Sequence, residues 1–84
     1  MDLDEKELAL LDLLAEEWEK AGPPGFVETT IIAERLKIPV GEAKSTIRSL
    51  FVKGMAGTDK LDTYAAYLTP EGFDMARSRH RIAS

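Results

Sequence analysis

The order of apolar and polar positions divides the 84 residues into four stretches with helical period and two short ones with strand period. Along the first stretch, Leu8, Leu14, Ala15 and Trp18 fall within about 60° of Leu11 on a helix turning 100° per residue, which marks the face expected to pack inward. Leu3 and Leu10 lie further round and Leu13 almost opposite, so the apolar arc is wider than one small core requires. Asp4 followed by Glu7 forms a capping box, with Leu3 placed to staple onto Leu8, and Ala21-Gly22-Pro23 ends the helix. A second, shorter pattern carries Ile32, Ala33 and Leu36, with Thr29 the best candidate for its N-cap. The third puts Ala43, Ile47, Leu50 and Phe51 at i, i+4, i+7 and i+8, which predicts a helix over 41–53.

Between the second and third patterns lie only Lys37-Ile38-Pro39-Val40. Pro39 biases Ile38 away from helical backbone, and Ile38 is apolar enough to plug the corner between two helices. Two helices joined by so tight a corner make a helix-turn-helix. After Phe51, Lys53-Gly54 closes the third helix. Met55-Ala56-Gly57 and Thr63–Leu68 read as two strands of a hairpin with 58–62 at its tip, and Phe26-Val27 is just long enough to add a minimal strand. Thr69 with Pro70 opens a last helix, on which Phe73, Ala76 and His80 share a face.

The run LKIPVGEAKSTIRSLFVKGM, followed by Tyr67-Leu68-Thr69-Pro70-Glu71-Gly72, resembles the winged-helix regulators of bacteria and archaea, the MarR- and PadR-like groups above all. The resemblance covers roughly residues 5 to 80 and rests on the order of elements rather than on one motif. It implies an α+β, mainly α, winged helix-turn-helix: a three-helix core, a small β-hairpin wing and a C-terminal helix. It also implies a single domain over 4–80 with 81–84 as a tail, and a transcriptional regulator that inserts helix 41–53 into the major groove of double-stranded DNA. Such regulators commonly form a homodimer through terminal helices. On that basis Leu3, Leu10 and Leu13 are expected at a dimer interface, rimmed by Asp12, Glu16 and Glu17, the plainer alternative being that Leu13 is a single exposed leucine. Two positions depart from the pattern: Lys37 stands where glycine is common, and Val40-Gly41 where a Ser or Thr cap is usual.

Composition changes the picture at one point, the charge. The chain carries −4 at pH 7, which looks wrong for a nucleic-acid binder, but residues 1–20 hold eight acids against two bases while residues 21–84 hold nine bases against seven acids. The acidity therefore belongs to one helix, and a DNA face elsewhere can still be positive. An apolar content of 44% is ordinary for a folded domain, and no apolar run is long enough to span a membrane. The acidic start and the absence of a signal-like segment point to a cytoplasmic protein. With zero cysteines there is no thiolate metal site and no cysteine nucleophile.

An enzyme needs convergent polar groups, and the one histidine, His80, has no partner set around it, so no catalytic residue, metal or cofactor is expected. A DNA interface is easier to build. With Ala43, Ile47 and Leu50 turned inward, Ser45 and Ser49 face outward, flanked by Arg48 on one side and by Thr46 and Lys53 on the other. Arg48 can bond guanine O6 and N7 together; Ser45, Thr46 and Ser49 can bond bases or phosphates; Lys37, Lys44, Lys53 and the wing's Lys60 suit phosphates. Glu42 on the same helix and Asp59 and Asp62 on the wing count against DNA. They favour the alternative, a winged-helix module that binds a protein partner. The cluster Arg77, Arg79, Arg81 admits three readings: a basic tail on DNA, a partner for the acidic first helix, or a favourable charge at a helix C-terminus.

Overall fold

The computed structural model describes residues 3–22, 25–59 and 63–83, with the backbone alone described beyond residue 78. Its elements run α1 (Glu5–Ala21), β1 (Val27–Glu28), α2 (Thr29–Leu36), α3 (Val40–Val52), β2 (Ala56–Thr58), β3 (Ala65–Leu68) and α4 (Pro70–Ala83). The three strands form one antiparallel sheet in the order β1-β3-β2, with Val27 opposite Ala66 and Ala56 opposite Leu68. Because α4 continues to Ala83, positions 81–83, expected as a tail, extend the last helix.

α1 starts where the capping box places it: the Glu7 amide donates to Asp4 Oδ1 at 2.8 Å and the Asp4 amide donates to Glu7 Oε1 at 2.9 Å. It ends at Gly22, whose amide reaches back to the Trp18 carbonyl and whose φ of 84° lies in the region that favours glycine. Between these ends α1 is the central helix, packed against α2, α3, β3 and α4. That position explains the wide apolar arc and corrects the expected interface. Leu10 is fully buried and Leu13 is 7% exposed, both within the core of this one chain, while Leu3 packs partly buried against it. A helix enclosed on several sides needs leucines all round, and Leu10 has no surface and Leu13 almost none left to offer a second subunit.

The corner between α2 and α3 forms as the sequence predicts. Lys37 adopts left-handed backbone (φ 58°, ψ 46°), and the Lys37 and Ile38 amides donate back to the Glu34 and Ala33 carbonyls. Ile38 packs partly buried on the core and plugs the angle. Neither helix has a side-chain N-cap: Glu28 precedes α2 and Pro39 precedes α3. The Thr29 hydroxyl, expected to cap α2, is spent elsewhere, donating to the Thr63 carbonyl while the Thr29 amide donates to the Tyr64 carbonyl at 2.8 Å. The helix start is thus anchored by a tertiary contact to the returning strand rather than by a local cap.

The Thr69-Pro70-Glu71-Gly72 run ties the hairpin to α4. Thr69 Oγ1 accepts from the Gly72 amide at 3.1 Å and donates to the Gly54 carbonyl at 2.7 Å. Gly72 is required by packing, since a Cβ there would stand 1.9 Å from the Met55 carbonyl oxygen. α4 then closes the core on the far side of α1, with the Phe73 ring stacked on Trp18 at 4.8 Å, the Arg77 guanidinium over Phe73 at 5.5 Å, and Ala76 fully buried.

Candidate nucleic-acid interface

α3 offers the surface that the helix-turn-helix would present. Ala43, Thr46, Ile47 and Leu50 point into the core, so the opposite face carries Gly41, Ser45 and Arg48, all exposed, with Lys44 half-buried beside them. Lys37 is exposed at the corner that leads into this helix. The residues expected as contacts do not all share that face. Thr46 is buried, and its hydroxyl donates to the Glu42 carbonyl of its own helix at 2.9 Å. Ser49 and Lys53 turn to the other flank, toward α1.

There the sequence-based reading missed a residue. Glu7, only 3% exposed, accepts from the Ser49 hydroxyl with one carboxylate oxygen and from Lys53 Nζ with both, at 2.9 and 2.8 Å. Burial pushes the Glu7 carboxyl up, but the Lys53 ammonium, the Ser49 hydroxyl and the Asp4 amide together outweigh it and hold the group below the usual glutamate value. Ser49 and Lys53 therefore clamp α3 onto the first turn of α1 rather than reach outward. Their spacing of four residues puts both on one helix flank, and Glu7 stands one turn before Leu11 on the inward face of α1, so the pairing has a trace in the sequence. The capping box hid it by giving Glu7 a local role that looked sufficient.

The carboxylates that argued against DNA are also engaged. Glu42 pairs with Lys6 on α1, above a polar cleft of about 230 Å³ lined by Asp4, Glu7, Ser45, Thr46 and Ser49. Asp59 Oδ1, at the start of the wing, accepts from the Tyr64 and Ala65 amides and so closes the hairpin. Asp62 and Lys60 lie outside the described residues, as do the side chains of Arg79, His80 and Arg81. Arg48 is directed from the wing side: its Nε donates to Thr63 Oγ1 at 3.2 Å. Among the described residues no group of three or more histidine, cysteine or carboxylate side chains is placed to hold a metal ion.

No protein-family model and no curated protein matches this sequence. Solved structures do. A variant of ZitR from Lactococcus lactis superposes with a TM-score of 0.71 at 21% identity, covering 96% of this chain and 53% of that one. FabT from Streptococcus pneumoniae in complex with DNA gives 0.72 at 20% identity, covering 98% and 55%. This is a winged helix-turn-helix fold. The adhesin competence repressor AdcR from Streptococcus pyogenes gives 0.70 at 20% identity over 98% of this chain and 58% of that one. The winged-helix chain thus spans little more than half the length of the structures it matches. In it α2 and α3 form the helix-turn-helix, β2 and β3 the wing, and α1 and α4 the support behind them. Among the described residues no helix is long and apolar enough to cross a membrane.

Proposed function

We propose that this winged-helix domain binds double-stranded DNA as a transcriptional regulator, placing the Gly41-Ser45-Arg48 face of α3 in the major groove. The observation that carries the reading is the exposure of that face together with the engagement of nearby carboxylates by Lys6, by Lys53 and by the wing backbone. Its likeness to a structure solved with DNA bound supports the same placement. Small residues at Gly41 and Ser45 let the helix approach the base edges, and Arg48 supplies the fork that guanine O6 and N7 recognise. Lys37 at the corner and Lys44 on the helix serve phosphates, with Lys60 as a further candidate on the wing. Ser49, Thr46 and Lys53 act on the site indirectly, by fixing the angle of α3 against α1.

The domain acts as a binding module, not an enzyme, and works in the cytoplasm without a cofactor. A homodimer belongs to this reading through the resemblance alone. Its contact must use surface other than Leu10 and Leu13, and its two α3 helices must stand about 34 Å apart to read successive major grooves.

The test is fluorescence anisotropy with a mixed-sequence duplex between 50 and 200 mM salt. Binding through lysine and arginine weakens steeply and log-linearly with salt, by roughly one log unit of affinity per log unit of salt for each phosphate neutralised. Arg48→Ala should then cost about 1–3 kcal/mol on the preferred site. Affinity that is flat with salt, or no duplex binding at all, ends the reading.

One observation favours a second reading as a protein-binding module. On the outer face of the sheet, Phe26 is 63% exposed and meets Tyr67 edge-on at 4.9 Å. Aromatic groups so placed are more typical of protein contacts than of DNA faces.

A further inference from the structure

We propose that Thr63, at the root of the wing, is a positioning residue that holds Arg48 in its base-reading conformation and so sets the sequence discrimination of the site. The inference rests on the DNA-binding reading above and adds a residue and a mechanism to it.

Thr63 is held in an unusual state. Its φ of 52° lies in the left-handed region, where a β-branched residue is a genuine outlier, and it is only 4% exposed. Backbone strain of this kind persists only where the surroundings over-determine it, and here they do. The Thr63 carbonyl accepts from the Thr29 hydroxyl at the start of α2. The next residue, Tyr64, is fixed twice, its carbonyl by the Thr29 amide and its amide by the Asp59 carboxylate. The strained segment is therefore pinned to α2 and to the wing, and its hydroxyl oxygen is aimed at α3, where it accepts from Arg48 Nε at 3.2 Å.

The choice of nitrogen matters. A guanidinium has five N–H donors in a planar fork, one on Nε and two on each terminal nitrogen. Thr63 engages the single Nε–H. The contact with Thr63 does not use the two terminal nitrogens of this exposed residue, and such a pair matches O6 and N7 of a guanine. An exposed arginine otherwise loses much rotamer freedom on binding, and a side chain already held by Thr63 has less to lose. The same contact links the wing to the reading helix, so the wing acts on sequence choice through Thr63 as well as through any phosphate contact of its own.

Thr63→Val separates the hydroxyl from the strain, because valine keeps the branched shape at the same backbone position and removes only the acceptor. Thr63→Ser restores the acceptor. In the free protein, the Arg48 Nε–H resonance in nitrogen-edited NMR should be protected from solvent exchange in wild type and Thr63→Ser, and exposed in Thr63→Val. On a duplex carrying the preferred site, Thr63→Val should lower discrimination for the guanine read by Arg48 by roughly three- to tenfold. Thr63→Ser should recover it, and neither substitution should matter in an Arg48→Ala background. An Arg48 Nε–H that stays protected in Thr63→Val overturns the proposal, as does a discrimination loss that survives Arg48→Ala. If wild type binds no duplex, the DNA reading and the discrimination half of the proposal fall together, while the resonance still decides whether Thr63 holds Arg48.

Discussion

Leu10→Ala is expected to destabilise the isolated domain by about 2–5 kcal/mol, the usual range for emptying a fully enclosed leucine site. Leu10 is fully buried on the helix that α2, α3, α4 and β3 surround, so the surroundings can collapse only partly into the space left. A domain of this size holds roughly 4–12 kcal/mol in total. Each kcal/mol corresponds to about 4–8 °C of melting temperature, so the variant should melt well below the wild type. The loss should be the same at low and high protein concentration, because the contact lies within one chain. Urea unfolding at two concentrations tests this. A Leu10→Ala protein as stable as wild type but altered in sedimentation would return Leu10 to a subunit interface.

The second large effect is expected at Glu7. Glu7→Ala removes the partner of Lys53 and the acceptor of Ser49 together, and should cost about 3 kcal/mol, the lower end for breaking a buried pair. The lower end applies because Lys53 is 28% exposed and can turn to water once Glu7 is gone. The charge gives this contact a pH signature. Since the Glu7 carboxyl is held below its ordinary value in the folded state, its contribution is fully present above the ordinary glutamate value of the unfolded chain. It is lost as the pH falls through the lower folded value. Wild type should therefore lose stability as the pH falls below the ordinary glutamate value, and Glu7→Gln should flatten that part of the profile. An unchanged profile in Glu7→Gln would mean that Glu7 is not the group that titrates. Because the clamp sets the angle of α3, Glu7→Ala should also weaken DNA binding without touching DNA.

Much of this architecture was legible in the residues, for definite physical reasons. Local chemistry reads well: the Asp4–Glu7 box, the Ile38-Pro39 corner after α2, and the Thr69-Pro70 helix start all depend on residues a few positions apart. The strand period shows in the burial along β3, where Ala66 and Leu68 are buried and Ala65 and Tyr67 half-buried, but it breaks before the strand, where Tyr64 is exposed and Thr63 buried. Burial set by long-range packing reads poorly. Leu13 looks solvent-facing on a single helical wheel and is buried because a neighbouring element covers that side too. The site was half legible for the same reason. Ser45 and Arg48 follow from the apolar stripe of α3, since they lie opposite it. Whether Ser49 and Lys53 face DNA or Glu7 depends on where α1 crosses α3, which no local pattern contains. Thr63 was invisible as a site residue, because its role arises from a strained conformation imposed by α2 and the wing.

The central claim, that the Gly41-Ser45-Arg48 face of α3 is where duplex DNA sits, is tested most directly by mapping amide chemical-shift changes as a duplex is added to labelled protein. The largest changes should fall on Gly41, Lys44, Ser45 and Arg48, with smaller ones at Lys37 and Thr63 and little at Phe26 or Tyr67. Changes centred on Phe26 and Tyr67, with α3 undisturbed, would contradict the claim.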